Sequence, residues 1–160
     1  MAGTIARQLK QRRPFASPEQ EALLGLRMAA ARLLAPWERF LKTTADVSTS
    51  QYNVLRILRG SHPTALTCGE IGVRTIARDP DVTRLVDRLS ARGLVTRAHS
   101  QKDRRVVEVS ITAQGLDLLR ELDPHALRMP PALIGHVRAA KLRQLTTLLT
   151  EVLVGIGTYP

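Results

Sequence analysis

A single cysteine, Cys68, stands in 160 residues, which excludes an intramolecular disulfide and any cysteine-rich zinc site. His62, His99, His125 and His136 lie far apart with no i, i+4 pair, so nothing argues for a metal ligand set. Aromatic residues make up only 3% of the chain, and its core must therefore be aliphatic. No apolar run approaches the roughly 20 residues of a membrane helix. The N-terminal MAGTIARQLKQRRPF lacks the apolar stretch of a secretion signal. A nucleophile–base–orienter set and a phosphate-cradling glycine loop are also missing. The expectation is a cytoplasmic protein that is not an enzyme, needs no cofactor and has no membrane partner.

Acids are the scarcer sign: 24 Lys and Arg face 14 Asp and Glu, a net charge of +10. Such a surplus favours polyanions, because neutralised phosphates release their condensed counterions. Charge alone sets a class of partner and no more. The length suits one domain, or one domain with helical extensions.

Residues 1–17 form a basic arm in which Arg7, Lys10, Arg12 and Arg13 meet no acid. A loose solubilising tail is preferred there over a DNA-contacting arm. From residue 19 to 42, Leu23, Leu26, Ala30, Leu33, Leu34, Trp37 and Leu41 follow helical spacing, and Pro36 is expected to kink or split that helix. Ser48 and Gln51 fit a capping box, after which Tyr52, Leu55 and Leu58 line one face up to Gly60, a natural C′ residue. Thr67 and Glu70 form a second box, with Ile71, Thr75 and Ile76 expected on the apolar face. Asp79 followed by Pro80 reads as the N-cap and first residue of a new helix. Val82, Leu85, Val86 and Leu89 repeat at i, i+3, i+4 and i+7, and Gly93 ends the helix.

The period then becomes that of a strand. Residues 94–96 and the alternating Val107, Val109 and Ile111 read as two strands joined by a polar, basic loop. Thr112 caps a helix running through Leu116, Leu119 and Leu122 to Asp123 and Pro124. Three prolines in residues 124–132 link it to a last helix with Ile134, Val137, Leu145, Leu148, Leu149 and Val152 on one face. The fold class expected is mainly α with a small β-wing. A winged helix-turn-helix DNA-binding domain spans 48–112, its helix-turn-helix at 67–93. Dimerisation helices flank it at 18–47 and 113–160. These helices cannot bury both faces on so small a core, and a homodimer is the simplest cover.

The chemistry concentrates on the helix from Pro80. With its apolar stripe inward, Asp81, Thr83, Arg84, Asp87 and Arg88 face out, and Asp81, Arg84 and Arg88 share one strip. Such a helix fits the major groove of double-stranded DNA, where Arg84 can pair bidentately with guanine. Thr83 suits a thymine methyl or a phosphate, and Arg78 a phosphate. For a lone helix, paired charges on a solvated face would be the better account. As the second helix of a helix-turn-helix with a basic wing behind it, the DNA reading is preferred. Asp81 and Asp87 would then discipline the arginines. In the wing, Lys102, Arg104 and Arg105 surround Asp103. A hairpin tip reaches the minor groove, whose negative potential attracts arginine, and Asp103 suits the task of holding one.

From Gln51 to Leu119 the chain resembles the MarR-type family, the multiple-antibiotic-resistance regulators. The matching pieces are QYNVLRIL, TCGEIG, DVTRLVDRLSARGLV, DRRVVEVSIT and TAQG. The resemblance implies a homodimer with interlocked terminal helices and recognition helices in successive major grooves of a near-palindromic operator. It implies that Arg105 enters the minor groove with Asp103 as its orienting partner. Many members are repressors released by small hydrophobic or phenolic effectors or by oxidation. Two departures stand out: TIARDPDV replaces the usual hydroxyl residues at the helix entrance, and Pro36 interrupts the first helix.

Trp37 and Tyr52 are candidates to line an effector pocket, with a core role preferred for both. Cys68, at a helix start, is either a redox-sensitive thiol or a small packing residue, and packing is preferred. The leading function is a MarR-type transcription regulator acting as a repressor. The alternatives are an effector-independent architectural DNA-binding protein and an RNA-binding winged helix, the latter weakened by the scarcity of aromatics.

Overall fold

Side-chain caps open five of the helices in the computed structural model, which describes residues 4–76, 81–100 and 103–157. They separate into two compact units, Met1–Glu121 and Leu122–Pro160.

In the first unit, helix α1 spans Thr4–Gln8. It replaces the loose arm expected there: Ala6 is buried, and Gln8 accepts a hydrogen bond from Arg32 Nη1 at 2.6 Å. Ile5 reaches the spot where Gly25 has no side chain. Helix α2, Pro18–Ala45, starts on the Ser17 hydroxyl, which accepts from the Gln20 N–H. Pro36 does not split it. One proline removes a single intrahelical bond, and the turns beyond it are pinned by ring contacts of Trp37 with Phe40 and Tyr52.

Helix α3, Thr49–Ser61, carries the expected capping box of Ser48 and Gln51. It runs through Gly60 instead of ending there, because the His62 N–H closes the last turn on Arg59 O and no left-handed residue is needed. Strand β1, Leu66–Thr67, precedes α4, Cys68–Gly72, whose box joins Thr67 and Glu70. The α4 helix is shorter than expected. Ile71 is fully buried, but Ile76 is 92% exposed and leaves the apolar face, its N–H held by Asn53 Oδ1 at 3.0 Å.

Helix α5, Val82–Ala91, is capped by Asp81. The expected cap at Asp79 and Pro80 lies outside the described residues. Gly93, at φ 67, turns the chain into strand β2, Val95–His99, which returns as β3, Val107–Ile111. The sheet is antiparallel in the order β1-β3-β2, with Leu66 opposite Val109 and Val95 opposite Ile111. β1 is a third strand that the two-strand expectation lacked. The core beneath it is aliphatic: Leu55, Leu58, Ile71, Val86, Leu89, Val109 and Leu119 are at most 1% exposed.

The Thr112 hydroxyl donates to Gly93 O at 2.7 Å and accepts from the Gly115 N–H at 3.0 Å, opening α6, Ala113–Ile134. α6 continues through Pro124, Pro130 and Pro131, where a break was expected. Each proline removes its own N–H bond and crowds the carbonyl four residues earlier, a local cost that the helix-tolerant residues between them, His125, Ala126, Leu127, Arg128 and Met129, do not add to. In the second unit α7, Ala139–Ile156, buries no residue. No helix among the described residues is long and apolar enough to cross a membrane.

At Gly115 a Cβ would stand 2.3 Å from Leu94 O and 2.8 Å from Ile111 Cγ1. Gly115→Ala should therefore cost about 1–3 kcal/mol of stability, read as an earlier urea midpoint. An unchanged midpoint would contradict so close an approach.

Candidate nucleic-acid interface

Burial fixes which side of α5 is available. Val82, Leu85, Val86 and Leu89 point inward, so Thr83, Arg84, Asp87 and Arg88 are exposed. The Asp81 carboxylate does two things: it accepts the Arg84 N–H at 3.1 Å and pairs with Arg84 Nε at 3.0 Å. Asp81 is therefore a cap and a splint for Arg84, with its side chain 44% exposed. Arg84 pairs through Nε and stays 77% exposed. Arg88 lines a cleft of about 370 Å³ with Glu38, Lys42, Asp46, Ser48 and Gln51. This links α5 to the end of α2 and the start of α3. Arg78 lies outside the described residues.

The wing is built on one turn. The Ser100 N–H bonds Val106 O and the Val106 N–H bonds Asp103 O, both at 2.9 Å. Asp103 receives three N–H groups of Arg105: the backbone at 3.0 Å, and Nε and Nη2 at 3.1 Å each. The guanidinium is thus held as a fork while 92% of the side chain stays exposed. The Arg105 side chain first, and its N–H second, hold the Asp103 carboxyl below its usual range. Arg104 is exposed beside it, and Lys102 lies outside the described residues.

Two contacts were not foreseen. The carboxylate of Asp87 pairs with Arg97 of β2, tying the recognition helix to the wing. Arg92, at the end of α5, donates to Ala45 O at 2.8 Å and Asp46 O at 2.7 Å, capping the C-terminus of α2. Backbone acceptors more than forty residues away leave no sequence signal, whereas alternate exposed positions on β2 opposite an acid on α5 are a weak one.

Trp37 and Tyr52 do meet, edge to face with centroids 4.9 Å apart, and Phe40 stacks on Trp37 at 5.5 Å. Tyr52 is buried, and its hydroxyl finds no hydrogen-bond partner among the described residues. Cys68 is a free, half-buried thiol at the first position of α4. No cluster able to hold a metal ion occurs among the described residues.

Helices α4 and α5, a hairpin with an arginine fork after them, and long helices before and after these in the chain define a winged helix-turn-helix with helical extensions. The model of the MarR family matches residues 45–106. A MarR transcription factor from Planctomyces limnophilus is 39% identical, with the match covering 86% of this chain and 98% of that one at a TM-score of 0.65. Bordetella bronchiseptica BpsR, whose DNA binding is regulated by 6-hydroxynicotinic acid, is 27% identical over 88% and 97% of the chains, with a TM-score of 0.74. The HTH-type transcriptional regulator Mb0904 of Mycobacterium bovis is 34% identical over 82 residues, 51% of this chain and 56% of that protein. The chain thus spans about half the length of the curated relatives it matches. This protein belongs to the MarR family.

The Asp103–Arg105 pair makes a pH prediction with a definite sign. A depressed carboxyl contributes order to the wing above the usual carboxylate range and loses it as pH falls through its own lower midpoint. In a carboxyl NMR titration the Asp103 midpoint should lie below that of an ordinary aspartate and rise toward it in Arg105→Ala. A midpoint that does not move would contradict the fork.

Proposed function

We propose that this protein is a DNA-binding transcription regulator that represses as a homodimer on a near-palindromic operator and is released by a small hydrophobic or phenolic effector. The observation that carries this reading is the exposed face of α5, whose rotation is fixed by the buried Val82, Leu85, Val86 and Leu89. It presents Arg84 and Thr83 for the major groove, with Arg84 the reader of guanine. The wing adds Arg105, oriented by Asp103, for the minor groove, with Arg104 for phosphate. Lys102 and Arg78 are assigned phosphate contacts on sequence position, and Arg88 a supporting one. Regulators rather than enzymes are the named relatives, and no enzyme reading is kept.

Uncovered apolar surface supports the homodimer. On α2, Leu23, Leu26, Leu33 and Leu34 are 37–59% exposed, and in the second unit Leu145, Leu148, Val152, Leu153, Val154 and Ile156 are 45–68% exposed. An amphipathic helix with nothing buried is not stable alone in water. Segments 18–47 and 113–160 are accordingly assigned to dimerisation, 48–112 to DNA, and 1–17 to a basic arm. The effector reading is supported by BpsR, whose DNA binding is regulated by 6-hydroxynicotinic acid; Trp37 and Tyr52 are the candidate pocket residues of this chain by sequence position, and they pack edge to face outside the cleft that includes Arg88. A dimer seated on an operator excludes polymerase, which is the physical basis of repression. Cys68 is assigned packing.

Arg84→Ala should cost about 1–3 kcal/mol of operator affinity and flatten the preference at one base pair per half-site, measured by titrating single-base variants of the operator. Undiminished preference at every position would remove Arg84 from base readout. Removing residues 133–160 should convert the protein from dimer to monomer in sedimentation, and a truncated protein that sediments as a dimer would contradict the assignment.

A further inference from the structure

We propose that Asp87 and Arg97 form a strut that sets the angle of the wing against the recognition helix, so that both positioning residues govern what Arg105 reads. The inference rests on the reading that α5 and the wing bind DNA together.

The hairpin needs such a tether. On β2 only Val95 is buried, and the next four residues through His99 are exposed. Its partner β3 enters the core through Val109 and Ile111, at the end of the hairpin away from the tip. Toward the tip β3 is paired with β1 as far as Glu108, whereas β2 from Thr96 to His99 lies exposed at the edge of the sheet. Asp87 stands on the exposed side of α5, between Arg84 and Arg88, and its carboxylate takes the guanidinium of Arg97. Arg97 is opposite Val109 at the middle of the ladder, two residues past the buried Val95, so the ion pair fixes β2 to α5 on the rung where β3 is anchored in the core.

The chemistry favours this role over base contact. A carboxylate facing the groove is repelled by phosphates and can accept only from the amino groups of cytosine or adenine. Paired with Arg97 it is neutralised and carries no sequence information itself. Two accounts then predict opposite signs. If Asp87 were merely an unfavourable charge, removing it would tighten binding to every sequence. If it is a strut, removing it weakens binding only where the wing arginine is engaged.

The experiment uses the full-length dimer and two operators that share a core and differ in flanks, one A·T-rich and one G·C-rich. Wild type should prefer the A·T flank, and Arg105→Ala should abolish that preference. Asp87→Asn and Arg97→Gln should each lose about threefold to fivefold on the A·T flank, the range one partly exposed ion pair commands, with little loss on the G·C flank. Neither should lose more once Arg105→Ala is present, and Arg97→Lys should restore most of the flank preference. Tighter binding on both flanks, or equal loss on both, would overturn the strut. A wild type without flank preference would instead sink the minor-groove reading. Amide exchange of the free protein still decides the strut: Asp87→Asn should speed exchange in the β2–β3 hairpin relative to α3, and unchanged hairpin exchange would overturn it.

Discussion

The rotation of α5 about its own axis is the constraint on which the rest depends. Four side chains, Val82, Leu85, Val86 and Leu89, are at most 9% exposed, and burying them is worth about 1.5–3 kcal/mol each. Any turn of the helix would bring them to water. Their burial therefore decides that Thr83, Arg84, Asp87 and Arg88 look outward, and no electrostatic preference of those residues is large enough to compete. The core of Leu55, Leu58, Ile71 and Val109 serves the same end by giving that stripe a fixed floor.

On this frame the acids have a common task. In a chain with ten more basic than acidic residues, Asp81 holds Arg84, Asp87 holds Arg97 and Asp103 holds Arg105. Each pair is exposed and adds little to stability. What it supplies is order: an arginine already fixed as a fork loses less side-chain entropy on meeting a partner. Arg92 extends the logic to the scaffold, where it satisfies the last carbonyls of α2 and joins that helix to the end of the recognition helix.

What was legible in the sequence was local. Ser48 with Gln51, Thr67 with Glu70 and Thr112 are caps whose partners lie three residues away, and all three were placed correctly. The stripe of α5 and the alternation of Val107, Val109 and Ile111 were equally plain. What escaped depended on distance or context. β1 has two residues, too few for any period, and exists because β3 offers it a partner. Ile76 looked like core, but α4 stops at Gly72 and its side chain emerges into solvent. Pro36, Pro124, Pro130 and Pro131 signalled breaks that their surroundings override. At the interface the Asp103–Arg105 contact was anticipated from charge, whereas Asp87–Arg97 and Arg92 join residues that only the fold brings together.

In the function proposed for this protein, α5 and the wing are a joint reader carried by paired subunits. The most direct measurement is selection of bound fragments from the source genome, followed by titration of the selected site and of unrelated DNA across salt concentrations. The account predicts discrete near-palindromic sites bound roughly 10³-fold or more tightly than unrelated DNA, with half-sites one helical turn apart. Fragments without a shared motif, bound no better than unrelated DNA at any salt concentration, would contradict it.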